Sequence, residues 1–389
     1  MFAHEAYDVL IAGARCAGAA TAMLLARKGL RVLLVDRGNY GTDTISTHAL
    51  MRGGVLQLHR WGLLPRVQNA GTPPVRETTF HYGEETINVS IKPGNGVDAL
   101  YAPRRTLLDR ALVDAAQEAG ADVRFGHNLV ALSHGPSGRV SGATMVNAEC
   151  NTVQVKADIV VGADGIGSKV AYLVGAETLH IAKHTTAVIY GHFPDLELTG
   201  YHWYYRPGIG VGAIPTNDHR HCVFVAMSPE RLRNGSWRRD YAAAFQAVLH
   251  EADHDLATSL ATSEPDSSLS VFGGRRGFLR RAWGPGWALV GDAGYFRDPL
   301  TAHGITDALR DSELLANALT AGSMAGYAAL RDELSLPLFK VTDAIAALDW
   351  NLDGIKALHG SLNEAMRREV EHLLSLQDRH ATMMEEMVS

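Results

Sequence analysis

The feature that most constrains the fold is the pattern of apolar runs and glycines at the start of the chain. Residues 7–12 form a short apolar run that ends at Gly13, and residues 16–28 are rich in Ala, Leu and Met. A second apolar run, residues 31–35, ends at Asp36. Short apolar runs bounded by glycine predict buried strands, and the longer segment predicts a buried helix. The pattern therefore predicts a βαβ unit of about 30 residues with two parallel strands.

The turn of this unit has the sequence Gly13-Ala-Arg-Cys-Ala-Gly18. Gly13 permits a tight turn, and Gly18 allows the helix to pack closely on the strand. The free N–H groups of the helix N-terminus favour a pyrophosphate, and Asp36 is suitably placed for a ribose hydroxyl. Arg15 stands where the usual pattern has its middle glycine, and a guanidinium there suits a phosphate. We therefore predict a dinucleotide site, with a βαβ turn that binds no ligand as the alternative.

Three later segments carry short motifs in a fixed order. The first is Arg105-Thr-Leu-Leu108, which opens a predicted helix, and the second, residues 158–168, runs from an apolar strand into Asp164-Gly165. The third, residues 291–305, contains Asp292 and leads into a further helix-like segment. Each motif alone is weak because such dipeptides are common. Their order after a dinucleotide turn is specific.

Together these segments resemble the flavoprotein monooxygenase family typified by p-hydroxybenzoate hydroxylase, whose relatives include geranylgeranyl reductases and flavin-dependent halogenases. The resemblance covers residues 5–175 and 280–325. It implies an α/β fold in which a Rossmann-like FAD-binding lobe is interrupted by an antiparallel β-sheet substrate domain and followed by a helical C-terminal segment. Alternating aromatic and polar residues between 185 and 270 also indicate antiparallel strands. The expected boundaries are 1–75, 98–178 and 275–334 for the FAD-binding domain, 76–97 and 179–274 for the substrate domain, and 335–389 for the C-terminal segment.

The resemblance also implies which residues hold FAD. Arg105 would reach the phosphates or the ribityl chain, Leu129 would contact the adenine side through its backbone, and Asp292 would bind a ribityl hydroxyl. The loop from Pro299 to Ile305 would enter a helix beside the isoalloxazine, where N–H groups stabilise negative charge. The full expected set is Gly13, Arg15, Gly18, Asp36, Arg37, Ser46, Thr47, Arg105, Leu129, Asp164, Gly165, Asp292, Pro299, Gly304 and Ile305.

Two parts of this set have alternatives. Ser46, Thr47 and His48 occupy the place where relatives line the flavin ring, but a polar loop that caps the next helix explains them equally well. The family associates the pair Asp164 and Gly165 with both FAD and the nicotinamide coenzyme. Ala171 stands where the family often has an arginine, which weakens the assignment of the coenzyme.

Two histidines are the candidates for proton exchange, because imidazole titrates near neutral pH. His303 lies inside the flavin-facing loop and ranks first; His48 ranks second. A helix N-terminus disfavours the charged form of His303, so a neutral hydrogen-bonding role is equally compatible. For the substrate we expect contacts from Tyr201, Trp203 and Tyr205, which share one face of a strand, with ordinary sheet packing as the alternative. The many histidines of this region show no ligand spacing, so we expect no metal.

Composition excludes several classes of protein. The formal net charge of −6 gives no support to a surface that coats nucleic acid. Three widely spaced cysteines argue against a disulfide framework. No uncharged apolar run reaches the ~18 residues of a membrane span, and the N-terminus lacks a signal-peptide pattern. We expect a cytoplasmic protein, and a homodimer is compatible with the sequence.

The resemblance implies a FAD-dependent monooxygenase that uses NADPH or NADH and O₂, through a flavin C4a-hydroperoxide, to hydroxylate an aromatic or electron-rich small molecule, for example in secondary metabolism. Residues 298–305 are closer to the reductase and halogenase branch, so a FAD-dependent dehydrogenase or reductase of the geranylgeranyl reductase type is the second hypothesis. A halogenase is disfavoured because the chain lacks a Trp-x-Trp-x-Ile-Pro run. The third hypothesis is a non-catalytic protein that keeps the dinucleotide fold.

Overall fold

The computed structural model describes residues 5–194, 196–235, 237, 240–261 and 263–388, with side chains described as far as residue 376. In chain order the described strands are β1 (Ala6–Ala12), β2 (Val32–Val35), β3 (Glu77–Tyr82), β4 (Glu85–Ser90), β5 (Asp122–Arg124), β6 (Asn128–His134), β7 (Val140–Val146), β8 (Thr152–Gly162), β9 (Thr178–Ile181), β10 (Ala187–Pro194), β11 (Tyr201–Arg206), β12 (Ile209–Thr216), β13 (Arg220–Met227), β14 (Ser270–Phe272), β15 (Phe278–Arg280), β16 (Trp283–Gly284), β17 (Trp287–Leu289) and β18 (Tyr295–Phe296).

The described helices are α1 (Cys16–Arg27), α2 (Arg52–Arg60), α3 (Leu64–Asn69), α4 (Arg105–Glu118), α5 (Lys169–Leu173), α6 (Pro229–Asn234), α7 (Tyr241–Ala252), α8 (His254–Leu260), α9 (Gly304–Thr320), α10 (Met324–Ala346) and α11 (Leu352–Val388). Two short 3-10 turns, Gly291–Ala293 and Pro299–Thr301, interrupt the path between β17 and α9. Among the described helices, none is both long and apolar enough to cross a lipid bilayer.

The first sheet is the predicted α/β core. Strands β5, β2, β1, β8 and β17 run parallel in this order, and β16, β7 and β6 extend the sheet with antiparallel pairs. Alternate residues of β1 enter two buried clusters: Ile11 joins the cluster that includes α1, α4 and α9, and Leu10 joins the cluster on the side of β6 and β7. Burial on both faces explains why β2 and residues 9–12 of β1 are apolar.

The second sheet has the order β14, β10, β13, β12, β11, β3, β4, and we call it the roof sheet. Neighbouring strands are antiparallel, as predicted, except that β11 and β3 are parallel. A parallel pair needs a long crossover, and more than a hundred residues of the first lobe separate these strands. Helices α7 and α8 cover the outer face of the roof sheet, while the inner face packs with the first lobe.

The C-terminal part is helical, as predicted. Helix α10 runs without a break across the predicted boundary between residues 334 and 335. Helix α11 packs against α10, α2 and β11. The C-terminal segment therefore contacts both helices of the first lobe and the roof sheet.

The outer layer of the roof sheet provides a test of packing. Phe245 of α7 is 1% exposed and its ring stacks on Phe193 with centroids 5.4 Å apart. We expect Phe245→Ala to lower the free energy of unfolding by about 3–5 kcal/mol, because the lost ring leaves a cavity. Urea denaturation measures this loss. Tyr241→Ala, at the exposed start of the same helix, should change stability by less than about 0.5 kcal/mol; equal losses in the two variants would contradict the packing.

Candidate active site

Close backbone contacts form the turn after β1. Gly13 has a φ of +106°, and its N–H donates to the carbonyl of Val35 at 2.7 Å. A Cβ at Gly18 would overlap the carbonyl oxygen of Gly13, and a Cβ at Gly13 would overlap that of Ala163. Neither position has room for a side chain. The start of α1 is therefore held directly against the carboxyl end of β1.

Asp36 fixes the same turn from the end of β2. Its carboxylate accepts the N–H of Ala14 at 2.7 Å and the N–H of Gly38 at 2.7 Å. The side chain remains half-buried, and Arg37 next to it is exposed. A carboxylate has about four acceptor sites, so Asp36 keeps capacity for a ribose hydroxyl.

Arg15 and Arg105 share a carboxylate that the sequence did not single out. Arg105 makes a bidentate contact with Asp109 at 3.0 and 3.1 Å, and Arg15 reaches the same carboxylate at 3.2 Å. Burial acts to lower the pKa of Arg105, but its interactions with the acidic groups Cys16, Asp109 and Asp292 outweigh burial and raise the pKa. Arg105 and Asp109 are four residues apart on a predicted helix, and this spacing could have indicated their ion pair from the sequence.

Asp292 is the polar group that fits a polyol chain best. It lies in the 3-10 turn after β17, half-buried, and accepts no hydrogen bond from the described residues. Burial raises the pKa of its carboxyl to about 7; Arg105 opposes this shift, and Asp307 and Asp311 add to it. A buried carboxylate without a hydrogen bond costs free energy. A ligand hydroxyl that donates to Asp292 would remove this cost.

The loop from Pro299 to Ile305, which we predict to face the flavin and call the flavin-facing loop, is anchored by Asp298. This buried carboxylate accepts the N–H and the hydroxyl of Thr186 at 2.6 and 2.7 Å, and the N–H of Leu300 at 3.1 Å. Ala302 has a left-handed φ of +49°, and α9 then begins at Gly304. Leu300 packs against Gly210 of the roof sheet. The loop that starts at Pro299 is thus tied to the roof, with the free N–H groups of Gly304 and Ile305 at the helix start.

His303 and His48 lie in different surroundings. The His303 ring is buried and its Nε2 lies 2.7 Å from Oε2 of Glu369 on α11. His48 has a φ of +65°, and its Nε2 lies 2.8 Å from Nε2 of His192 on β10. The structure therefore does not bring the two candidate histidines together, and their proposed proton-exchange roles stay predictions. The pairing of His303 with Glu369 and of His48 with His192 could not be predicted from the sequence.

The His48 pair is neutral at pH 7. Burial lowers the pKa of His48 well below its usual value, and the neighbouring His192 and Arg104 lower it further. Burial and Arg104 lower the pKa of His192 to about 4. Ser46 supports the loop, since its N–H donates to the Tyr190 hydroxyl at 3.2 Å and its Oγ accepts the N–H of His48 at 3.1 Å. Thr47 is half-buried beside them.

Two groups of side chains among the described residues have donor atoms close enough for a metal ion. His48, His192 and Cys222 form one group, within 4.8 Å of one another. His303, Asp307 and Glu369 form the other. In the first group the imidazoles bond to each other, and in the second Arg297 and Arg310 occupy the carboxylates. The expectation of no metal stays a prediction.

Tyr201, Trp203 and Tyr205 lie on the inner face of β11, between 1% and 5% exposed. Trp203 lies against Phe224 with centroids 6.0 Å apart, and Gly212 between them leaves room for the Phe224 ring. Tyr205 instead meets His359 of α11, with centroids 4.5 Å apart. The inner face is therefore aromatic, and the C-terminal helix covers one end of it.

The remaining predicted residues lie in β6 and in the turn after β8. Leu129 is buried in β6 and pairs with Met145. Asp164 accepts the hydroxyl of Ser168 at 2.5 Å and the N–H of Lys169 at 2.6 Å, so its carboxylate caps α5. Gly165 has a φ of +77°. The Asp164 and Gly165 pair thus has a clear role in the turn, and its contact with FAD or a nicotinamide stays a prediction.

These residues fit FAD. The glycine turn holds the α1 N-terminus against the end of β1, and Asp36 keeps acceptor capacity for a ribose. Asp292 accepts no hydrogen bond from the described residues, and Arg105 provides positive charge beside it. We therefore predict that ribose, phosphate, ribityl and ring sites follow one another along the carboxyl edge of the parallel sheet, with the N-terminus of α9 at the ring.

Comparison with known proteins agrees with this geometry. The family described as "FAD binding domain" matches residues 6–330. The chain belongs to this family. It is a FAD-dependent oxidoreductase, and the fold is the α/β type with a second, mostly antiparallel sheet that the sequence indicated.

The chain is similar in sequence to curated reductases. Menaquinone reductase of Mycolicibacterium smegmatis is 28% identical over 346 residues, which cover 82% of this chain and 78% of that protein. Digeranylgeranylglycerophospholipid reductase of Methanothrix thermoacetophila is 25% identical over 391 residues, which cover 95% of this chain and 86% of that protein.

Solved structures share the fold. PqsL of Pseudomonas aeruginosa in complex with 2-aminobenzoylacetate has a TM-score of 0.77 and 20% identity, covering 92% of this chain and 100% of PqsL. The flavin-dependent brominase Bmp2 has a TM-score of 0.77 and 18% identity, covering 94% of this chain and 93% of Bmp2.

Asp292→Ala tests the FAD site. We expect FAD to bind about 10- to 100-fold more weakly, because a hydrogen bond to a charged acceptor contributes ~1.5–3 kcal/mol. Titration of the FAD-free protein with FAD, followed by flavin fluorescence, gives the dissociation constants. Asp158→Ala removes an exposed carboxylate from the same sheet and should leave the constant unchanged. Equal affinities in the two variants would contradict the site.

Asp292 also predicts a pH dependence of stability in the FAD-free protein. Its carboxyl has a pKa of about 7 when folded, against an ordinary value of 3.8, so the folded state holds the proton more tightly. Stability therefore falls as pH rises between these two values and is constant above. Asp292→Asn lacks this loss. Its free energy of unfolding relative to the wild type should increase from pH 4 to pH 7, then level off; urea denaturation that shows a constant difference would refute this.

Proposed function

We propose that the protein is a monooxygenase that uses NADPH or NADH and O₂ to hydroxylate an aromatic or other electron-rich small molecule. FAD, when bound, supplies the two-electron chemistry and the reaction with oxygen. The protein has to position the substrate and exclude water, because a reactive oxygen adduct is otherwise lost to side reactions.

The observation that carries this proposal is the buried aromatic face of the roof sheet. Trp203 and Phe224 are 5% and 1% exposed and lie on the same face as Leu300, which belongs to the flavin-facing loop, within one buried cluster. Such a face suits a small aromatic ring and keeps water away. The side chains on this face are already closely packed, which favours a small substrate over a long one.

The polar part of the proposed substrate site is the pair of His48 and His192. Both imidazoles are buried, and Tyr190 contacts the His192 ring edge-on at 5.9 Å. A few polar groups in an otherwise apolar pocket fix the orientation of a bound molecule. We assign to this pair the hydrogen bonding of a substrate hydroxyl, amine or carbonyl group.

A dehydrogenase or reductase of the geranylgeranyl reductase type is the second candidate. The two curated relatives named above, both reductases at 25–28% identity, favour it. A PqsL structure from Pseudomonas aeruginosa that is described as a probable FAD-dependent monooxygenase has a TM-score of 0.72, and at 19% identity it supports only the fold. The cytoplasmic location and the homodimer remain proposals under either function.

Isotope labelling of oxygen distinguishes the two reactions. The holoenzyme is incubated with NADPH or NADH and a panel of small aromatic molecules under ¹⁸O₂, and the products are analysed by mass spectrometry. We expect a product that carries one ¹⁸O atom, with the second atom of O₂ released as water. Turnover that consumes the coenzyme and leaves every product unlabelled would refute the monooxygenase and support the reductase.

A further inference from the structure

A network of buried charges lies directly behind the flavin-facing loop. We call it the α9 ion network; its members are Arg297, His303, Asp307, Arg310, Asp311 and Glu369. Each member is at most 6% exposed. Glu369 comes from α11, far along the chain, and each of its two carboxylate oxygens contacts a different partner. Oε2 lies 2.7 Å from His303, and Oε1 lies 3.0 Å from Arg310.

The charges of the network do not balance without His303. Three carboxylates face two guanidinium groups, which leaves one negative charge in excess. Arg331 acts to lower the pKa of Asp311, but it pairs with Asp332 at 2.6 Å, so these two opposite charges leave the count unchanged. Buried charge is stable only when it is compensated. His303 is the remaining titratable group of the network.

The surroundings of Glu369 agree with an ion pair. Burial acts to raise its pKa, but the charge and hydrogen bond of His303, followed by the charges of Arg310 and Arg297, lower it to about 2. Glu369 is therefore ionised at neutral pH. The charged groups that face His303 are Glu369 from α11, Asp307 and Arg310 from α9, and Arg297 from the segment before it. The neighbouring side chains of α10, Ser335 and Thr342, are neutral.

His303 is the residue immediately before α9, and it ends the loop that we assign to the flavin ring. The helix N-terminus alone disfavours a charged imidazole, which left its state open in the sequence. Glu369 reverses the local balance, because a full negative charge at 2.7 Å outweighs a partial positive charge.

We propose that Glu369 is a positioning residue that holds His303 as an imidazolium at the start of α9, and that this charge raises the reduction potential of bound FAD. Reduced flavin carries negative charge on its N1–C2=O side, and a fixed positive charge nearby stabilises it. The inference rests on FAD binding along the loop and is independent of whether the enzyme is a monooxygenase or a reductase.

The test compares the midpoint potential of bound FAD in Glu369→Gln and in Glu364→Gln, measured at pH 7 by equilibration with a reference dye without oxygen or substrate. Glu364 lies on the exposed side of the same helix, where it pairs with Arg368. We expect Glu369→Gln to change the ratio of oxidised to reduced FAD at least tenfold toward the oxidised form, which is a lower potential by about 30 mV for a two-electron couple. Glu364→Gln should match the wild type.

His303→Gln provides a second, independent measurement. Glutamine can still donate a hydrogen bond to Glu369 but cannot carry the charge, so the potential should fall as in Glu369→Gln. The double variant should show no further fall, because the two residues act as one unit. If Glu369→Gln does not fold with FAD bound, His303→Gln decides alone. If the midpoint potential of FAD in His303→Gln equals that in Glu364→Gln, the proposal is overturned.

Discussion

The contact between Gly13 and Gly18 is the constraint on which the rest of the arrangement depends. Because neither residue has a side chain, α1 can begin against the end of β1 and direct its free N–H groups at the edge of the parallel sheet. Asp36, Arg105 and Asp292 then lie along the same edge, each from a different element. We expect a cofactor that follows this edge to meet ribose, phosphate and polyol partners in that order.

The second requirement is a cover for the reactive end of the cofactor. The roof sheet provides it with one face, and Asp298 ties the flavin-facing loop to that sheet through Thr186. The outer face is closed independently by α7 and α8. The C-terminal helix then joins both layers, because α11 contacts the roof through His359 and the flavin side through Glu369.

Much of the local structure could be predicted from the sequence. Apolar runs and glycines locate β1, α1 and β2 to within a residue or two, and the helical pattern of residues 107–119 begins two residues after the start of α4. The pattern is less informative where polarity is mixed. It predicts two strands at residues 151–155 and 158–161, which are one continuous β8, and it does not predict β6. The pattern also predicts a helix over residues 237–250, but α7 begins at Tyr241, where Asp240 caps it.

The sequence by itself determined the βαβ opening, the order of the FAD motifs and the identity of the residues that line one strand face, because these follow from local periodicity and from glycine geometry. Only the tertiary structure decided the pairs that span long separations: Arg15 with Asp109, His48 with His192, and His303 with Glu369. These pairs form because their side chains are buried. A charged or polar side chain that loses water must find a partner in space, and sequence distance places no limit on which partner the fold supplies.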